Sequence, residues 1–94
     1  MDREEPIHIL LAEDDPDDRL LTRRAVVESQ VNTTFAAVEN GEELMRYLYR
    51  RDEYAPPDPA PRPNLILLDL NMPRKDGREA LREIKSDEAL RRIP

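Results

Sequence analysis

The chain has 94 residues, a formal net charge of −6 and no cysteine. A chain of this length buries only ~60–65% of its unfolded surface, so it can hold one small core, and without cysteine it has no disulfide or thiolate chemistry. Its apolar runs are far shorter than the ~20 residues of a membrane-spanning helix, and net acidity disfavours binding to nucleic acid. We therefore expect one soluble, cytoplasmic domain over residues 1–94, without membrane or nucleic-acid partners.

The first predicted strand is residues 7–12, the aliphatic run IHILLA, which ends in Glu13, Asp14 and Asp15. Asp15 followed by Pro16 indicates a helix start, because aspartate caps helix N-termini and proline fits the first helical position.

This first helix is expected to continue to about Gln30. Residues at helical spacing predict an apolar stripe that covers one face of a sheet, comprising Leu20, Leu21, Ala25 and Val27. Three basic residues are expected on the opposite side, Arg19, Arg23 and Arg24.

A second strand and helix are predicted next. Residues 33–38 (TTFAAV) are rich in β-branched residues, which favours a strand. Asn40 with Glu43 three residues later is a capping-box arrangement, and it predicts a helix that ends near Arg51. The apolar residues of that helix at helical spacing are Leu44, Tyr47 and Leu48.

Residues 54–63 (YAPPDPAPRP) contain five prolines and are predicted to form a loop, because proline lacks the backbone donor and fixes φ. A linker between domains and a PxxP ligand are alternatives. We favour a stiff surface connection within one domain, since neither flank has enough apolar residues to fold alone.

Residues 65–68 are four consecutive aliphatic residues, and one carboxylate, Asp69, follows them directly. An uninterrupted apolar run is typical of a parallel strand covered on both faces. Asp76 is expected to cap a third helix whose inward stripe comprises Ala80, Leu81 and Ile84. Residues 89–94 are predicted to form a turn that leads toward a further strand.

The element order βαβαβα predicts an α/β fold with a doubly wound parallel sheet in strand order 2-1-3. In that order the carboxyl ends of the first and third strands are neighbours, so Glu13, Asp14 and Asp69 should share one crevice. Carboxylates at such close range either raise the pKa of at least one of them or recruit a cation, and an open site with only oxygen ligands suits Mg²⁺. The spacing of an EF-hand calcium loop is absent.

Two motifs carry a resemblance to a known family: AEDDPDD at residues 12–18 and LLDLNMPRKDG at residues 67–77. They resemble the receiver domain of bacterial two-component response regulators, a flavodoxin-like fold. The resemblance implies that Asp69 is the phosphoacceptor, that Glu13 and Asp14 are the acidic pair, and that Asn71 lends its backbone carbonyl to Mg²⁺. The residues that complete the pattern are Pro73, Asp76 and Gly77.

The family resemblance implies a signalling phosphoacceptor, not an enzyme, whose partner is a sensor histidine kinase. The Pro-rich insert before the third strand is similar to small single-domain receivers that serve phytochrome-type kinases. The resemblance covers about three quarters of a receiver and implies that the last two strands and helices are lacking. The third strand would then be an exposed edge, which predicts self-association.

Other functions are less well supported by these residues. A receiver-derived fragment that serves as a non-switching interaction or oligomerisation module is the alternative function. An aspartate-nucleophile phosphatase needs a second acid two residues after the nucleophile, and position 71 is Asn. The single histidine, His8, is expected to pack in the first strand, and the tyrosines to pack in helix and loop.

Overall fold

A computed structural model of the chain describes residues 6–29, 32–57, 59–69 and 77–94. Three strands alternate with three helices in the predicted order. The elements are β1 Ile7–Ala12, α1 Pro16–Glu28, β2 Thr33–Val38, α2 Gly41–Tyr49, β3 Leu65–Leu68 and α3 Gly77–Ser86. Two 3₁₀ turns are present as well, at Asp52–Tyr54 and Leu90–Arg92.

The strands form one parallel sheet in the order β2-β1-β3, which confirms the predicted order 2-1-3. Central β1 pairs with β2 from Ile7 opposite Thr33 to Ala12 opposite Val38, and with β3 up to Ala12 opposite Leu68. The three strands therefore end level with one another. Whatever follows Ala12, Val38 and Leu68 in sequence is brought to the same edge of the sheet.

The predicted helix caps of α1 and α2 are present. Asp15 Oδ1 accepts a hydrogen bond from the Asp17 N–H at 2.8 Å, and Asn40 Oδ1 accepts one from the Glu43 N–H at 2.8 Å. The Glu43 carboxylate accepts from the Glu39 N–H at 2.9 Å, one residue before the cap.

The predicted helix ends are less accurate than the starts. α1 ends at Glu28, and position 30 lies outside the described residues. α2 ends at Tyr49, two residues before the expected Arg51, because Arg50 adopts a left-handed conformation with φ of 56°. A left-handed residue cannot continue a right-handed helix.

The predicted apolar stripe of α1 is wrong for three of its four residues. Leu20, Leu21 and Val27 are 48%, 61% and 69% exposed, and none of the α1 residues is buried. The α1 residues that line the groove against β1 and β3 are Thr22, Ala25 and Val26, so of the predicted stripe only Ala25 faces the sheet. Spacing alone could not fix the rotation of the helix, because several sets of residues at helical spacing contain apolar side chains.

The core lies on the other face of the sheet, under α2 and α3. Leu10 and Ala12 of β1 are fully buried there, together with Leu44 of α2. The cluster is completed by Val38, Met45, Tyr47, Ala60, Ala80, Ile84, Leu90 and Ile93.

The stripe predicted for α3 is correct for Ala80 and Ile84 but not for Leu81. Ala80 and Ile84 are 0% and 3% exposed, whereas Leu81 is 40% exposed. Ala80 and Ile84 lie four residues apart on one face of the helix. This face packs in the core cluster. Leu81 lies beside that face, at the rim of a groove that Ile66 and Leu68 also line.

The Pro-rich loop is packed onto the helical face as a connection. The Ala60 N–H donates to the Tyr54 carbonyl at 3.1 Å, and Arg50 Nε donates to the Ala60 carbonyl at 2.8 Å. Ala60 and Pro63 are buried. One detail differs from the prediction, since Tyr54 is the last residue of a 3₁₀ turn and irregular structure begins after it.

The C-terminal residues approach the outer edge of β3, as the predicted turn toward a further strand requires. Leu90 and Ile93 are buried, and the Ile66 N–H donates to the Pro94 carbonyl at 3.0 Å. At least one β3 edge donor is therefore satisfied within the chain. Within the described parts of the chain, no helix has both the length and the apolarity that a bilayer crossing requires.

Candidate functional site

Three of the predicted site residues meet at the carboxyl edge of the sheet. Glu13 and Asp14 follow β1, and Asp69 follows β3. One carboxylate oxygen from each of the three lies within 4.8 Å of the others. Residues more than fifty positions apart in sequence thus form one cluster of negatively charged oxygens.

Backbone hydrogen bonds fix where this cluster forms. The Asp69 N–H donates to the Ala12 carbonyl at 3.0 Å, and the Glu13 N–H donates to the Val38 carbonyl at 3.0 Å. Both bonds continue the parallel ladder one residue beyond the ends of the strands. Glu13 and Asp69 are consequently attached to the rigid sheet and not to a free loop.

The cluster is electrostatically unfavourable without a cation. Burial raises the pKa of Glu13, and the neighbouring carboxylates of Asp69 and Asp18 raise it further. The Asp15 N–H, which donates to Glu13 Oε2 at 3.2 Å, acts in the opposite direction. A divalent cation bound to these oxygens would relieve the repulsion that raises the pKa of Glu13.

The donor set favours a hard cation. All three ligand groups are carboxylates, the ligands that Mg²⁺, Mn²⁺ and Ca²⁺ accept in open, partly hydrated sites. The single histidine does not contribute. His8 is buried within β1, where Nδ1 lies 2.7 Å from Thr34 Oγ1 and Nε2 lies 2.5 Å from the Tyr47 hydroxyl. His8 is thus a packed residue, as predicted.

The remaining acidic residues of the first motif have other positions. Asp15 caps α1, which agrees with its predicted role as a helix-start residue. Asp18 lines the crevice between the end of β1 and β3, together with Glu13 and Asp69.

Part of the second motif cannot be placed. Asn71, expected to offer a backbone carbonyl, lies outside the described residues, as do Pro73 and Asp76. Gly77, the last residue of the motif, is buried and begins α3.

Sequence reasoning missed Arg19, which was assigned to the polar face of α1. Arg19 Nη1 donates to the carbonyl oxygens of Glu13 at 2.9 Å and Asp14 at 3.1 Å. One feature of the sequence could have indicated that Arg19 has a specific partner. A cation so close to a helix N-terminus is disfavoured by the helix dipole, so its presence there indicates a specific partner.

Comparison with known proteins gives a consistent result. The response regulator receiver domain family matches residues 9–93. The response regulator Rcp1 of Synechocystis is 44% identical over 89 residues, which are 95% of this chain and 58% of that protein.

Two solved structures are similar throughout the chain. The phosphorylated cyanobacterial phytochrome response regulator RcpA is 49% identical, with a TM-score of 0.87 over 96% of this chain and 62% of that one. The Mn²⁺-bound form of Rcp1 is 44% identical, with a TM-score of 0.88 over 95% of this chain and 62% of that one. The chain thus spans less than two thirds of the length of these relatives. With acidic residues at the ends of β1 and β3 and a sheet of order 2-1-3, the chain belongs to the response regulator receiver domain family.

Proposed function

We propose that Asp69 accepts a phosphoryl group from a phosphohistidine of a sensor kinase, at a site where Glu13, Asp14 and Asp69 hold Mg²⁺. The observation that carries the proposal is the meeting of these three carboxylates within 4.8 Å of one another, in a chain that belongs to the receiver family. The Mn²⁺-bound structure of the similar protein Rcp1 supports a divalent cation in the site.

The reaction is a transfer between two side chains. A carboxylate oxygen of Asp69 attacks phosphorus, the P–N bond to the kinase histidine breaks, and the imidazole leaves with the electron pair of that bond. The product is an acyl phosphate on Asp69. Attachment of Asp69 to the sheet through the Ala12 carbonyl keeps the nucleophile in a fixed position.

A bound Mg²⁺ supplies positive charge that neutralises the carboxylates and the incoming phosphoryl oxygens. The family resemblance adds the backbone carbonyl of Asn71 as a further ligand. This chain's own contribution is to gather the acidic ligands on a rigid edge of the sheet.

The kinase is proposed to be of the phytochrome type. Similarity to RcpA, a cyanobacterial phytochrome response regulator that is 49% identical, supports this partner class. We also propose that residues 1–94 lie in one receiver domain, because the Pro-rich loop, α2 and α3 share one buried cluster.

The test is Mg²⁺-dependent labelling of the purified chain by acetyl phosphate, followed by intact-mass spectrometry. We expect one phosphoryl adduct, lost in Asp69→Asn and on removal of Mg²⁺ with EDTA. Asp17→Asn is the matched control, because it removes an exposed carboxylate of α1 that is not part of the cluster. Labelling of Asp69→Asn to the level of the parent chain would contradict the proposal.

The same experiment discriminates the alternative function. A chain that folds, associates with rising concentration and takes no label from any phosphodonor would support a non-switching interaction module. Labelling that requires Asp69 would exclude it.

A further inference from the structure

Arg19 joins the first turn of α1 to the two residues that carry acidic ligands. Its Nη1 donates to the Glu13 carbonyl at 2.9 Å and to the Asp14 carbonyl at 3.1 Å. The side chain is only 23% exposed, and its Nη2 lies 4.0 Å from Glu39 Oε2. The guanidinium is thus held on one side by backbone and on the other by a carboxylate.

The two carbonyls lie where the regular backbone pattern is interrupted. β1 ends at Ala12 and α1 begins at Pro16, so the peptides after Glu13 and Asp14 lie between the sheet ladder and the helix. Backbone carbonyls in such a gap need a donor from outside the regular elements. Arg19 supplies that donor to both of them.

Because Nη1 donates to two successive carbonyls, it restricts the orientation of both peptide planes. Each plane is attached to the Cα atom of a residue whose carboxylate belongs to the cluster. Without these bonds the Glu13 N–H would still be held by the Val38 carbonyl, but the peptide planes after Glu13 and Asp14 could rotate. The carboxylate oxygens that now lie within 4.8 Å of Asp69 would then move apart.

We propose that Arg19 is a positioning residue of the cation site: its guanidinium holds the Glu13 and Asp14 carbonyls so that both carboxylates face Asp69. This inference rests on the proposed function, since it takes Glu13, Asp14 and Asp69 to be the cation ligands. The bonds of Nη1 go to the backbone of Glu13 and Asp14, so Arg19 acts through the ligands.

Charge alone and positioning predict opposite effects of removing Arg19. Without the guanidinium the crevice becomes more negative, and Coulomb attraction by itself would strengthen cation binding. If Arg19 positions the ligands, its loss weakens cation binding in spite of the added negative potential. The sign of the change therefore separates the two roles.

The experiment is a calorimetric titration of Mg²⁺, repeated with Mn²⁺, into the unphosphorylated chain. We expect Arg19→Ala to weaken binding ~10-fold, the scale seen when groups that orient metal ligands are removed. Arg19→Lys retains the charge, but its Nζ lies one bond nearer to Cα than the arginine Nη1 that makes both bonds, so it should recover only part of the affinity. Arg24→Ala is the matched control, because it removes the same charge from an exposed residue of the same helix.

Each outcome of the titration either supports or overturns the proposal. Unchanged or tighter binding in a folded Arg19→Ala variant overturns the positioning role, as does an equal loss in Arg24→Ala. If Arg19→Ala does not fold, Arg19→Lys carries the test, and affinity equal to that of the parent overturns the proposal. A parent chain that binds neither cation overturns the cation site as well, whereas binding without phosphorylation overturns only the phosphoacceptor role of Asp69.

Discussion

The two faces of the sheet are held in different ways. On the face covered by α2 and α3, apolar side chains from β1, β2, both helices and the Pro-rich loop form one buried cluster. On the other face α1 has no buried residue, and its largest apolar side chains are exposed. What fixes the start of α1 is polar: an aspartate cap and the hydrogen bonds of Arg19.

The residues that stabilise the fold and the residues that form the acidic site therefore lie in different regions of the molecule. The acidic ligands lie at the edge of the sheet, next to the weakly packed helix and not inside the core cluster. Substitutions on the α2 side should change the free energy of unfolding, whereas substitutions at the start of α1 should change the site with little effect on stability.

The largest effect is expected for Leu44→Ala. Leu44 is completely buried in the core cluster, and truncation of a buried leucine costs about 2–5 kcal/mol of unfolding free energy. A chain of this length has a total of only ~5–14 kcal/mol, so the variant should lose a large share of its stability. Leu21→Ala is the control, since Leu21 is 61% exposed and its truncation should cost less than about 0.5 kcal/mol. Urea denaturation followed by circular dichroism measures both, and equal losses would refute the comparison of the two faces.

A smaller effect is expected for Tyr54→Phe. The Tyr54 hydroxyl donates to Glu43 Oε2 at 2.6 Å and ties the 3₁₀ turn to the first turn of α2. A hydrogen bond to a charged group contributes about 1.5–3 kcal/mol, and we expect the lower end because the pair is only partly buried. A double-mutant cycle with Glu43→Ala, which removes the acceptor, measures the coupling. Additive losses would show that the hydrogen bond contributes nothing.

Acidification should destabilise the fold through His8. Burial lowers the pKa of His8, so the folded state favours the neutral ring. The stability it contributes is present above the ordinary pKa of 6.5 and is lost as the pH falls from there through the folded-state pKa. The loss should be moderate, because the hydroxyl oxygens of Thr34 and Tyr47 can both accept from a charged imidazolium.

Denaturation curves between pH 7.5 and 5.5 test this prediction. This pH window lies about one unit or more above the ordinary pKa values of carboxylates. His8→Gln cannot titrate and serves as the control. If the free energy of unfolding falls equally with pH in the parent chain and in His8→Gln, the pH dependence does not come from His8.

The smallest effect is expected for Glu39→Gln. Glu39 Oε2 lies 4.0 Å from Arg19 Nη2, and the glutamate side chain is 68% exposed. Exposed ion pairs of this kind contribute about 0–1 kcal/mol, so thermal unfolding should change little. The Arg19 bonds to the two carbonyls should persist, and Mg²⁺ affinity should stay close to that of the parent chain. A large loss of affinity would show that Glu39, not the carbonyl bonds, holds Arg19 in place.

The sequence alone determined the order of the elements and the place of the acids. Aliphatic runs that end in carboxylates at Glu13 and Asp69, with cap residues Asp15 and Asn40, are local signals that depend on neighbouring residues only. The doubly wound rule then gave the strand order 2-1-3, and from it the meeting of Glu13, Asp14 and Asp69 at one edge.

Only the tertiary structure decided which face of each helix packs against the sheet and which contacts hold the acidic residues of the site. α1 turns Thr22, Ala25 and Val26 toward the sheet, and Leu20, Leu21 and Val27 are exposed although their spacing fits a buried stripe. Periodicity identifies a face of a helix but not the partner of that face, since the partner comes from a distant part of the chain. The bonds of His8 to Thr34 and Tyr47 depend on the same kind of contact.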